Sequence, residues 1–166
     1  SIRIFVLGDA RRPGSYTVSG LSTITNALFL SGGISEIGSL RNIQLKRSGK
    51  LVQTLDLYDL LIDGNTKNDV RLQSGDVIFV PPVGPTVGVG GFVKRPAIYE
   101  LIKESTAGEA VQLAGGLLAD AFPGRVRVER ITAEWERAFL RLDLSTAKGQ
   151  QRILRGGDVL LVPPVL

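Results

Sequence analysis

The apolar residues near the start of the chain change period within a short stretch. Ile2, Ile4 and Val6 alternate with other residues and fall on one side, the period of a half-buried β-strand. Arg12-Pro13-Gly14 interrupts the alternation: proline fixes φ at a corner and glycine tolerates a tight bend, so the tripeptide predicts a turn. Tyr16 and Val18 then continue as a second strand, which makes the pair a hairpin. Ser22 or Thr23 can cap a helix. Ile24, Ala27, Leu28 and Ser31 follow at helical spacing, and Gly32-Gly33 ends it. Farther on, Ile43 and Leu45 alternate, Leu51 to Leu57 reads as another strand or its end, and Asp56 to Ile62 as a short helical turn. Gly75-Asp76 is a tight turn into a last strand, Val77 to Val80, which Pro81-Pro82 terminates.

The same series then recurs. Val6 falls on Val89, an offset of 83, and at that offset Gly8 meets Gly91, Arg12-Pro13 meets Arg95-Pro96, Tyr16 meets Tyr99, Gly32-Gly33 meets Gly115-Gly116, and Arg47 meets Arg130. Toward the end the offset becomes 82, where Gly75-Asp76-Val77 matches Gly157-Asp158-Val159 and Val80-Pro81-Pro82-Val83 matches Val162-Pro163-Pro164-Val165. Ordered matches of this kind mark an internal duplication. The second helix is the clearer one: Thr106-x-x-Glu109 is a capping box, and Ala107, Ala110, Val111 and Ala114 form its apolar face. Val126 and Val128 correspond to Ile43 and Leu45, and Ala138 to Leu144 reads as a further strand. The predicted order in each copy is β-β-α-β-β-(turn)-β, an α+β class in which one main short helix covers a mixed sheet. That is the order of a β-grasp domain, with boundaries at residues 1–83 and 84–166. A domain of about 80 residues buries only roughly 60–65% of its unfolded surface, so packing of the copies or oligomerisation would add stability. With about two residues between them, the copies are expected to form a semi-rigid rod. Trp135, within the charged stretch Glu134 to Arg137, reads either as an inward-facing residue of an amphipathic strand or as an exposed interface anchor.

Composition narrows the function classes. Hydrophobic residues make up 43% and charged residues 22%, ordinary for a folded domain. There is no cysteine, hence no disulfide, thiol nucleophile or thiolate metal site. There is no histidine, which removes the usual general base near neutral pH and the commonest metal ligand. Without any methionine, even at position 1, the sequence reads as an excised fragment or processed product. No apolar run approaches the roughly 18 residues of a membrane span. Twenty basic and 16 acidic side chains give a net charge of +4, a mild bias toward anionic partners.

Three segments carry the pattern of a known family: Gly8 to Tyr16 as G-x-x-x-R-P-G-x-Y, Thr23 to Gly33 as a capped helix ending in G-G, and Leu72 to Pro82 as L-x-x-G-D-V-I-x-V-P-P. They return as Gly91 to Tyr99, Thr106 to Gly116 and Leu154 to Pro164. Essentially the whole chain resembles a tandem of SLBB domains, the soluble-ligand-binding β-grasp domain, as found in the periplasmic part of outer-membrane polysaccharide export proteins. The resemblance implies a non-enzymatic, periplasmic module of an outer-membrane-associated exporter of capsular polysaccharide or exopolysaccharide. Its partners would be copies of itself in a ring within the full-length protein, an inner-membrane polysaccharide polymerisation or export partner, and weakly an acidic polysaccharide. SLBB domains also occur in vitamin B12-binding and redox-complex proteins, so the alternative is a ligand-binding module for a saccharide or a corrin-like cofactor. The second copy departs from the pattern at Ala97 and Ile98, where the family prefers glycine, so its turn is expected to be built differently. The family's N-terminal export domain, lipidated cysteine and membrane-crossing segment have no counterpart in this sequence, which would then be an internal portion.

No residue pattern requires a cofactor, a metal or nucleic acid. Gly84, Gly88, Gly90 and Gly91 approximate a nucleotide loop, but Val93 occupies the last position of G-x-G-x-x-G and Arg95-Pro96 follows in place of a helix. Asp76 and Asp158 are the residue type a turn wants. Asp56, Asp59 and Asp63 lack the spacing of a calcium loop. No basic stripe with interleaved aromatics appears. What remains is the hairpin corner, where Arg11 and Arg12 recur as Lys94 and Arg95, followed by Tyr16 and Tyr99. These six are the candidate contacts. They are either a solvated turn with packing tyrosines, or a repeated contact for acidic sugars or for a neighbouring subunit's carboxylates, in which guanidinium forks pair with carboxylates and tyrosine rings stack on sugar.

Overall fold

In the computed structural model, which describes residues 1–166, the first half of the chain forms β1 (Ile2–Gly8), β2 (Gly14–Val18), α1 (Ile24–Leu30), β3 (Ile43–Arg47), β4 (Lys50–Leu55), α2 (Leu57–Leu61) and β5 (Val77–Val80). The second half forms β6 (Thr86–Gly91), β7 (Ala97–Glu100), α3 (Ala107–Leu113), β8 (Val126–Ile131), β9 (Arg137–Leu142), α4 (Ala147–Gln150) and β10 (Val159–Val162). Contacts divide the chain into two units, Ser1–Val83 and Gly84–Leu166.

Each unit has one five-stranded mixed sheet, ordered β2-β1-β5-β3-β4 in the first and β7-β6-β10-β8-β9 in the second. The first and last strands of each unit run parallel at the centre, and every other neighbour is antiparallel. The class is therefore α+β with the β-grasp order. Period-2 patterning decides which face is buried. Ile4 and Val6 of β1, Ile43 and Leu45 of β3, and Ile78 and Val80 of β5 are all inaccessible to solvent, and α1 lays Ile24, Ala27 and Leu28 on them. In the second unit Val87, Val126, Val128 and Leu160 play the sheet's part and Ala107, Ala110, Val111 and Ala114 the helix's. The smaller alanine face lets α3 approach its sheet closely.

Local signals explain the element ends. Thr23 N-caps α1, with the side-chain oxygen of Asn26 accepting the Thr23 N–H at 2.9 Å. Thr106 N-caps α3 in a full capping box with Glu109. Gly32, Gly33, Gly115 and Gly116 then take φ between 86° and 91°, the left-handed conformation that ends a helix at low cost only with glycine. Gly8 and Gly91 meet a harder constraint. Their φ values are +80° and +82°, and a Cβ would sit 2.3 Å and 2.2 Å from the carbonyl oxygens of Val80 and Val162.

The second hairpin keeps the register of the first, with Val6 paired to Gly14 and Val89 to Ala97. Its corner backbone differs, as expected: Gly14 takes φ +157°, whereas Ala97 has no positive φ. One expectation needs correction. Trp135 is not packed inward on a strand. It lies in the β8–β9 connection at φ 62°, 88% exposed, because the loop closes on itself through Thr132 N–H to the Glu136 carbonyl (2.8 Å) and Trp135 N–H to the Thr132 carbonyl (3.0 Å).

Candidate functional site

The hairpin corners do not converge into a pocket. Arg12 and Arg95 turn back along their own units to the C-terminal ends of α1 and α3. Arg12 Nε donates to the Ser31 carbonyl at 3.4 Å, and Arg95 Nη2 donates to the Leu113 carbonyl at 3.1 Å. A helix end presents unpaired carbonyls and the negative pole of its dipole, both of which a guanidinium satisfies. Space for the side chain comes from the first glycine of each pair: a Cβ on Gly32 would lie 3.1 Å from Arg12 Nε, and one on Gly115 would lie 3.2 Å from Arg95 Nη1. The R-P and G-G segments of the motif are thus two halves of one tie between hairpin and helix. Arg11 and Lys94, the other cations of each corner, remain exposed.

The tyrosines complete the same tie. Tyr16 donates its hydroxyl to the Arg12 carbonyl, and Tyr99 donates to the Arg95 carbonyl at 2.5 Å. Tyr99 is 7% exposed and Tyr16 packs on the first core, so neither presents an open ring for stacking on a sugar.

Asp76 and Asp158 are also structural. Each is at most 1% exposed and is held by the arginine that the repeat places on β3 or β8. Arg47 reaches Asp76 through Nε at 2.8 Å and Nη2 at 2.9 Å; Arg130 reaches Asp158 at 3.0 Å and 2.8 Å. The second carboxylate oxygen also accepts a turn N–H, from Gln73 in one unit and Arg155 in the other, both at 2.7 Å. The hydrogen bond to the carboxylate raises the pKa of each arginine further. Asp56 N-caps α2 by accepting the Tyr58 N–H at 2.9 Å, and pairs with Arg41 at 2.8 Å.

Among the concavities of the second unit, three are well defined. One, of about 380 Å³, is mostly apolar and is lined by Gly108, Val111, Gln112, Leu117, Leu144 and Gln150, between α3 and α4. Another, about 600 Å³, is bordered by Arg130, Lys148, Arg152 and Arg155. The third, about 350 Å³, lies on the sheet face away from α3 and is lined by Arg125, Arg127, Arg141, Leu161, Val162 and Pro163. None of the six corner residues lines any of them. The arginines of the third were missed by motif reading, although their signal is in the sequence: Arg125, Arg127 and Glu129, then Arg137, Phe139 and Arg141, occupy alternate positions that a strand must turn outward.

Comparison with known proteins agrees with this picture. Residues 2–80 match a family model described as the SLBB domain, and residues 86–138 match a second SLBB domain model. Two curated relatives from Escherichia coli, both named polysialic acid transport protein KpsD, are 28% identical over 163 residues, covering 97% of this chain. The chain spans only 28% of those relatives' length. With the motifs, the sheet order and both family matches in agreement, the chain belongs to the SLBB domain family, as two such domains in tandem.

Proposed function

We propose that this chain is a non-enzymatic module of a protein that exports a surface polysaccharide, held in the periplasm as part of an outer-membrane-associated assembly. The observation that carries the reading is the alignment of 97% of the chain, both domains together, with a protein named for polysialic acid transport. The chemistry is compatible with it: the two repeated aspartates are locked in ion pairs, and the repeated tyrosine hydroxyls serve the hairpin corner. The work is then mechanical. Subunit or partner contacts are made around the polysaccharide path, with other copies of the chain in a ring and with an inner-membrane partner. Arg11 and Lys94, the corner cations that face solvent, together with the exposed Trp135, are the contacts this reading assigns to neighbouring subunits or to the passing polymer. Deletion of the encoding gene tests it: surface polysaccharide should disappear, and normal amounts would overturn the reading.

A second reading, a small-ligand module, draws on the apolar cleft between α3 and α4. Its 380 Å³ lies near the lower end of ligand sites, which run from roughly 300 to 1,000 Å³. Gln112 and Gln150 supply its side-chain amides, few polar groups for a saccharide and little room for a corrin. Saturable binding of a small apolar ligand, abolished by Val111→Trp, would favour it.

A further inference from the structure

The two units differ in charge on the sheet face that carries no helix. In the second, Arg127 of β8 stands directly across from Arg141 of β9, and Leu161 of β10 flanks Arg127 on its other side. Arg125 joins them at the rim of the 350 Å³ concavity. Like charges directly opposed across a sheet repel. Nothing in the fold answers these: the ion pair on this face joins Arg137 to Glu129 at 3.3 Å, and none of the three concavity arginines has a carboxylate partner. Two of them are instead steadied by rings, Arg127 over Phe139 at 5.2 Å and Arg125 over Phe122 at 5.4 Å.

The first unit shows that the fold does not require them. At the same positions it has Asn42, Gln44 and Thr54, with Gln44 opposite Thr54 just as Arg127 is opposite Arg141. The cations are an addition to a scaffold that is built without them next door.

We propose that this face of the second unit binds a carboxylate-bearing sugar chain, a uronate-type polyanion; the choice of sugar as ligand rests on the export reading above. Guanidinium forks match carboxylates bidentately. The exposed ring of Phe139, 55% accessible, and the side chain of Leu161 offer apolar surface to the C–H face of a pyranose. The concavity falls at the small-ligand scale of roughly 300–1,000 Å³.

The test is calorimetric titration of the 166-residue chain with hexagalacturonate, and with its neutral methyl ester. The acid should bind saturably and the ester should not. Arg127→Gln/Arg141→Gln should weaken binding at least tenfold while leaving the melting temperature unchanged or raised, since a repulsion is removed. Lys148→Gln/Arg152→Gln removes two charges from the separate basic concavity and should change affinity less than twofold. Equal weakening by both double variants would overturn the proposal, because binding would then follow net charge alone. So would equal binding of ester and acid, or no saturation. If the double variant melts early, each single variant should still weaken binding threefold or more, and unchanged affinity in both would overturn the proposal. A flat titration would leave the export reading intact, since that stands on the deletion phenotype; normal surface polysaccharide in the deletion strain would leave saturable binding here unexplained by export but still real.

Discussion

Arg130 and Asp158 show how one residue pair decides the fate of a unit. Asp158 is 1% exposed and Arg130 has a side chain 12% exposed, so each has been taken out of water and relies on the other. Removing one partner of such a pair strands a charge, at a cost of roughly 3–5 kcal/mol. Asp158→Ala is therefore expected to destabilise the second unit by about 3 kcal/mol, read as a lower urea midpoint at unchanged slope. The corner residues should split in a different way. Arg95→Ala loses a bond to the end of α3 and should cost about 0.3–1 kcal/mol, while Lys94→Ala, exposed, should stay within about 0.5 kcal/mol. Equal losses for the two would mean that Arg95 is not tied to the helix. At this scale the sequence was half legible. The turn role of Asp76 and Asp158 follows from residue type, but their arginine partners lie 29 and 28 positions upstream, and only the fold brings them together. The duplication offered a clue, since Arg47 and Arg130 recur in step with the two aspartates. Residue type favoured packing over sugar contact for the corner tyrosines, and their hydroxyl bonds to the Arg12 and Arg95 carbonyls are visible only in the fold.

The elements were the most legible part, because each end carries its own local signal. The capping box of α3 makes one of those signals titratable. The Ser105 N–H, then the Thr106 hydroxyl, donate to the Glu109 carboxylate and hold its pKa below the ordinary carboxylate value. A lowered folded-state pKa stabilises above the unfolded pKa, about 4.3 for glutamate, and that contribution is lost as pH falls through the folded value. Wild type should therefore exceed Glu109→Gln in melting temperature at pH 7, and the gap should close as pH falls below the ordinary carboxylate range. A gap that persists there would show that the carboxylate's charge is not what caps the helix. Gly91 gives the backbone counterpart. Alanine there must accept φ +82° and a Cβ 2.2 Å from the Val162 carbonyl oxygen, so it must push β6 away from β10. Gly91→Ala should cost more than about 2 kcal/mol and leave the second unit unfolded or loosened, visible as lost amide dispersion for residues 84–166. Connections were less legible. The β3–β4 hairpin closes through Ser48 and Gly49, at φ 52° and 77°, but the equivalent β8–β9 connection is longer and turns Trp135 outward at φ 62°. Residue type favoured burial for that indole, and loop geometry overrode it.

The whole molecule is a duplication in which the shared positions are those that build the domain. Gly8 and Gly91, the arginine ties, the ion pairs and the proline strand ends recur because the β-grasp sheet needs them. Function is more readily sought where the copies differ, as on the sheet face where Asn42, Gln44 and Thr54 give way to Arg125, Arg127 and Arg141. Repetition makes the corners conspicuous in the sequence, whereas the arginines of the divergent strands occur in one copy alone. The proposed export role belongs to this scale as well, since it concerns both domains together. Its most direct test is an in-frame deletion of the segment that encodes these 166 residues, followed by measurement of polysaccharide at the cell surface and inside the cell. Loss from the surface with retention inside is the predicted result; unchanged surface polysaccharide would contradict it.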